Sequence, residues 1–201
     1  MYYGVYQKVR NSAWQCLIDA QIKEMPVPVV KIARRFGVNI VKNSVHNWLK
    51  PYQSGISFVT ESGEWVIVYD DSDSYGRRRF TVAHELGHIL LGHPLRQDTQ
   101  HTRTINKTRP KIESEADMFA MRILSPACVL WALDIHTPWD IADLCQISYT
   151  AAQARADRMK ILYSRKIFLK SPLERQVYDA FQPWLEQYKI RSVLGSSCKK
   201  E

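Results

Sequence analysis

The stretch TVAHELGHILLGHP, from Thr81 to Pro94, restricts the possible folds more than any other part of the chain. Val82, Ala83, Leu86, Gly87, Ile89, Leu90 and Leu91 make a helix here apolar almost all round, so it belongs in a core. The same helix takes His84, Glu85 and His88 into that core, where polar groups are costly unless they find partners. His84 and His88 stand four residues apart, so both rings leave one face about one turn apart, and two nitrogens so spaced can reach one zinc ion. Glu85 follows His84 directly and can act on a water beside the ion without becoming a ligand. A metal supplies the partner that burial demands. The competing reading is a pair of core histidines satisfied by other side chains.

A catalytic zinc site of this kind needs a third protein ligand and an open position for water. The extended pattern HExxHxxGxxH asks for glycine at position 91 and histidine at position 94, where this chain has Leu91 and Pro94. His93 lies five residues past His88, off the ligand face, and is expected on the surface or at a pocket rim. The other nearby source is KIESEADMFAMRILSP, which reads as an amphipathic helix from about Lys111 to Leu124, ended by Ser125-Pro126. Glu113, Glu115 and Asp117 in its first turns are candidates to close the site. Acidic residues there also serve simply to complement the helix dipole.

The remaining elements frame this pair of helices. Tyr6 to Ile22 and Pro26 to Gly37 read as helices, and VNIVK, GISFVT and EWVIVYD as strands, the last two joined by ESG as a hairpin. Thr137-Pro138-Trp139-Asp140 is a capping box, Ser148 caps a further helix, and a last helix from Ser171 is expected to be interrupted by Pro183. The length of 201 residues allows one substantial core. Cys16, Cys128, Cys145 and Cys198 form no CxxC pair, so idle reduced thiols are expected. No apolar run approaches the roughly 18 residues that span a bilayer, and the N-terminus lacks a signal-peptide core, so a cytoplasmic protein without membrane partners is expected. The net charge of +8 concentrates at Arg77-Arg78-Arg79, His101 to Lys111 and the Cys198 to Lys200 tail, and reads as a solvated face before it reads as a nucleic-acid site.

RRRFTVAHELGHILLGHP, followed by ESEADMFAMRILSP, resembles the paired motifs of the ImmA/IrrE family of bacterial metallopeptidases, RFTxAHELGH and an ExEANxFAxxLLMP-like segment. Weaker similarity extends over roughly residues 5 to 163, and Asp117 stands where asparagine is usual. The resemblance implies an α+β zincin-like metallopeptidase domain with a small antiparallel sheet, an HExxH helix and a C-terminal helix-turn-helix-like unit. It implies Zn2+ as cofactor, His84, His88 and Glu115 as ligands, and Glu85 as general base. Glu113 rivals Glu115, because Glu113 to Asp117 also reads ExxAD, a pattern in which the first glutamate binds the metal. Asp117 is then a group that orients a histidine or caps the helix. Tyr75, His93, His101 and Tyr149 are candidates to stabilise the transition state.

The expected organisation is a metallopeptidase core over 1–126, a helical subdomain over 127–165 and a helical tail over 166–201. The implied activity is endoproteolysis of a specific protein, a helix-turn-helix repressor of a phage or mobile element. Alternatives are a DNA-binding regulator with structural zinc, an antirepressor acting by binding alone, and a toxin-like partner in a two-gene module. Against the DNA alternative, SYTAAQARADRMK places alanines where base contacts would be made, with Arg155 and Arg158 further on, so no specific DNA binding is expected. Oligomeric state is not encoded in any recognisable pattern.

Overall fold

A computed structural model describes residues 3–93 and 111–197. The chain runs α1 (Tyr3–Asp19), α2 (Val29–Arg35), β1 (Val38–Lys42), α3 (Asn43–His46), β2 (Gly55–Val59), β3 (Trp65–Tyr69), α4 (Tyr75–Leu90), α5 (Lys111–Leu124), α6 (Ala127–Ala132), α7 (Pro138–Cys145), α8 (Tyr149–Arg165) and α9 (Pro172–Ser197). The α+β class holds. Thr137 and Ser148 cap α7 and α8 as their side chains suggest, accepting from the backbone N–H groups of Asp140 and Ala151.

The three strands form one sheet in the order β1-β3-β2. β2 and β3 are the expected hairpin, paired antiparallel with Ser57 opposite Ile67. β1, however, runs parallel to β3, so the sheet is mixed and not the purely antiparallel one expected. A parallel neighbour needs a crossover connection, and α3 with the segment before β2 is part of that return. The central position of β3 explains its apolar run: Val66, Ile67 and Val68 are all buried.

One continuous hydrophobic cluster, from Val9 to Leu185, joins the helices to each other and to the sheet. α4 lies against β2, β3 and α2, and also packs on α5, which in turn packs on α1. Ala116, Phe119, Ala120, Ile123 and Leu124 form the buried stripe of α5, as its 3.6-residue periodicity predicts. The C-terminal helix departs from expectation, because Pro183 lies inside α9 without ending it. Proline there removes one main-chain hydrogen bond. Val177, Phe181 and Leu185, buried beside α1 and α6 on both sides of Pro183, hold the helix through that defect.

Candidate metal centre

Helix α4 delivers two imidazoles and helix α5 a carboxylate, and a small residue lets the two helices meet. Gly87 stands between the histidines in sequence. A Cβ added there would lie 3.1 Å from Cδ1 of Phe119 and 3.3 Å from Cα of Ala116, so the ring or the α5 backbone would have to give by a few tenths of an ångström. On the facing side of α5, Glu113, Ala116, Asp117 and Ala120 follow the i, i+3, i+4, i+7 spacing of one face. The alanines allow the approach, and the two acids project beside it.

The convergence is tight. Nε2 of His84 and Nε2 of His88 are 3.0 Å apart. Glu113 brings its oxygens to 3.3 Å from His84 Nε2 and 3.5 Å from His88 Nε2. Ligand atoms of a tetrahedral zinc site with bonds of about 2.0–2.1 Å are separated by roughly 3.3 Å, and here Oε2 of Glu113 faces His84 while Oε1 faces His88 at distances near that value. Among the described residues, His84, His88 and Glu113 are the group whose donor atoms can share one ion, all lying within 4.8 Å of one another.

The far sides of both rings are engaged as well. Nδ1–H of His84 donates to Asp117 at 2.8 Å, which turns its Nε2 toward Glu113. Nδ1 of His88 faces Nδ1 of His93 at 3.0 Å, and Nε2 of His93 faces Glu115 at 3.2 Å. Burial opposes charge on His84, but the bonds to Asp117 and Glu113 and the nearby Glu85 overcome it and raise its pKa to about 9. In the metal-free chain a proton on His84 is therefore the cation that holds the acidic groups together.

Glu85 is buried and receives a hydrogen bond from the Ser57 hydroxyl at 2.8 Å. Gly55 makes this contact possible, because a Cβ there would come within 2.4 Å of Thr81 Cγ2 and 3.4 Å of Glu85 Cγ. Ser57 is absent from the sequence-derived candidates. Alternation in β2 places residues 55, 57 and 59 on one face, but only packing reveals that this face meets α4.

Glu115 does not join the two Nε2 atoms; Glu113 does. Two residues along a helix are about 200° of rotation, so Glu113 and Glu115 leave opposite flanks of the buried stripe. His93 is not a surface residue, since its side chain is only 6% exposed. Helix geometry does not govern its position: α4 ends at Leu90, and Gly92 at a φ of 68° turns the chain back so that His93 returns to His88. Tyr75 opens α4, nine residues or about 13 Å of helix from His84, and is exposed, as is Tyr149, whose ring lies tilted against Trp139. Neither is brought to the cluster. His101 lies outside the described residues, as do residues 101–110 of the second basic run and the Cys198 to Lys200 tail.

The other sequence signals find structural uses. Arg77 pairs with Asp73 at 3.0 Å, Arg78 donates to the Asp71 carbonyl, and Arg79 donates to the carbonyls of Cys145 and Gln146, so the arginine triplet ties α4 to its surroundings. Arg155 is buried and donates to the Ser125 carbonyl, while Arg158 donates to the Tyr6 hydroxyl. The two arginines on which DNA readout by α8 would depend thus face the protein. Burial pushes the thiols of Cys16, Cys128 and Cys145 up to about 12, which leaves them unreactive. No helix among the described residues is long and apolar enough to cross a membrane.

Comparison with curated proteins yields no match. A family profile described as the IrrE N-terminal-like domain, peptidase M78, matches residues 33–157, more than half of the chain, and takes in α4, α5 and every residue of the cluster. An HExxH helix packed through Gly87 on an acidic helix brings three potential metal donors within 4.8 Å of one another inside the matched segment, and the chain belongs to the peptidase M78 (IrrE N-terminal-like) family.

Proposed function

We propose that the protein is a zinc-dependent endopeptidase in which His84, His88 and Glu113 hold the metal and Glu85 is the general base. The observation that carries this reading is the convergence of two Nε2 atoms and the Glu113 carboxylate, with donor atoms within 4.8 Å of one another. Two neutral imidazoles and one carboxylate are a donor set suited to zinc with an open coordination position. When bound, zinc polarises a peptide carbonyl and acidifies a coordinated water. Glu85 takes the proton from the attacking water and returns it to the leaving amine. The Ser57 hydroxyl, donating to one carboxylate oxygen, restrains the rotamer from which Glu85 acts.

The sheet edge supports an extended peptide as substrate. Asp70 N–H donates to Ser54 O and Thr60 N–H to Glu64 O, which fixes the alternation of the hairpin and directs the main-chain groups of Gly55, Ser57 and Val59 away from β3. Among the described residues no strand pairs with that outer edge. A substrate strand added there would run past Glu85. A helix-turn-helix repressor is the proposed substrate, on the strength of the family resemblance alone.

Glu85→Gln tests the reading. It keeps the shape and the Ser57 contact but removes the base, so zinc content and partner binding should persist while cleavage of a co-expressed repressor falls by about 100-fold or more. Unchanged derepression in cells expressing Glu85→Gln would replace the peptidase with an antirepressor that acts by binding alone.

A further inference from the structure

Deepening the proposed metal site, and resting on Glu113 as its third ligand, we propose that His93 and Glu115 form a positioning relay that orients His88 toward the metal. The contacts run in one line, from Glu115 through Nε2 and Nδ1 of His93 to Nδ1 of His88, with separations of 3.2 and 3.0 Å. Their protons can be arranged in one consistent way. An ionised Glu115 only accepts, so a neutral His93 donates from Nε2 and its Nδ1 carries the lone pair. His88 then donates from Nδ1, and its own lone pair is left on Nε2, the atom beside His84 and Glu113. The relay sets both the tautomer and the ring angle that metal binding needs.

The arrangement parallels the other histidine with one link added. His84 reaches a carboxylate directly, through Asp117 on the facing side of α5. His88, one turn further along α4, uses the imidazole of His93 to reach a carboxylate on the opposite flank of the same helix. The His93 and Glu115 side chains are only 6% and 14% exposed, so water competes little for these bonds. Lys111 also approaches Glu115, at 3.8 Å, from the exposed side. A plain staple between the end of α4 and the start of α5 would need neither ring nitrogen of His93 to meet a ligand.

Cobalt(II) binding to the full chain tests the relay, read by chelator competition and by the visible absorption of the bound ion. His93→Ala and Glu115→Ala should each weaken cobalt affinity by about 10- to 100-fold and alter the absorption bands, with circular dichroism unchanged. His93→Gln, whose amide can accept from His88 and donate to Glu115, should restore most of the affinity, whereas the shorter His93→Asn should not. Wild-type affinity and spectrum in His93→Ala, together with metal loss in Glu113→Gln, would overturn the relay and leave the ligand set standing. Metal retention in Glu113→Gln with complete loss in Glu115→Ala would make Glu115 a ligand and overturn both. Should His93→Ala not fold, equal affinities for the Gln and Asn variants would overturn the relay.

Discussion

Helix α5 carries a buried polar cluster at each end, and the two meet the cost of burial in opposite ways. At its C-terminal end Arg122 lies over the Tyr6 ring at 4.5 Å, Arg158 lies over the same ring at 4.9 Å, and Arg155 is buried nearby. Burial pulls Arg155 down to about 10 and lowers Arg122 also, while the phenol of Tyr6 is lowered because Arg122 and Arg158 outweigh its own burial. Those donors are answered within the chain, by the carbonyls of Ser125 and Met118 and by the Tyr6 hydroxyl, leaving Nε of Arg155 and Arg158 without a partner among the described residues. At its N-terminal end the arrangement is reversed. Glu113, Glu115 and Asp117 face three imidazoles, and Glu113 converges with the Nε2 atoms of His84 and His88. Such a cluster holds together only around a cation, whether a proton or a metal. A buried polar network closed by its own chain reads as structure; one whose lone pairs converge reads as a binding site.

The sharpest way to break the contrast is to remove the converging carboxylate. Glu113→Gln should weaken zinc binding by well over about 100-fold, beyond the loss expected for a supporting group, and abolish cleavage while the helical signal persists. Elemental analysis after dialysis decides it, and full zinc retention would mean that the converging lone pairs are not the ligand set.

Next in size is the response of the metal-free chain to pH. His84 is raised from 6.5 to about 9, so its charged form contributes stability that is fully present below about pH 6.5 and is lost as pH rises through 9. At about 1.4 kcal/mol per unit the change is on the order of 3 kcal/mol. Denaturant midpoints of the chelator-treated chain should fall across this window, and less so in Asp117→Asn. Saturating zinc should suppress the fall, since the metal replaces the proton. A flat profile in the metal-free wild type would show that no proton holds the cluster.

The opposite end of α5 should answer differently. Arg155→Ala removes a buried donor and leaves the Ser125 carbonyl short of one partner, so it should cost about 2 kcal/mol of stability with zinc affinity unchanged. A gel-shift assay at physiological salt should find the same weak, non-specific DNA binding before and after the substitution. A discrete DNA complex that Arg155→Ala removes would return α8 to a role in readout.

The smallest effect concerns the contact that brings the helices together. In Gly87→Ala the gain in helix propensity opposes crowding against Phe119 and Ala116, and a net loss of about 1 kcal/mol is expected. A few tenths of an ångström of separation should also weaken zinc binding several-fold. Unchanged affinity in Gly87→Ala would mean that α5 tolerates the shift and that Glu113 reaches the site without close packing.

Much of the site is legible in the chain because its logic is local. The spacing of His84, Glu85 and His88 on one helix follows from 3.6 residues per turn, the apolar surroundings announce burial, and the capping residues Thr137 and Ser148 announce α7 and α8. The acidic start of α5 is equally plain, and so is its pairing with α4, through the linked motifs of the family resemblance. What the sequence left open is decided by rotation and approach between elements. Whether Glu113 or Glu115 faces the histidines depends on which flank of α5 meets α4, and a pattern with acids at 113, 115 and 117 serves either flank. His93 returns to His88 only because the chain reverses at Gly92, and Ser57 reaches Glu85 only because Gly55 lets β2 lie against α4. Periodicity along one element determined which residues share a face. Only the packing of elements determined which faces meet, because those contacts join residues distant in sequence whose closeness no local pattern records.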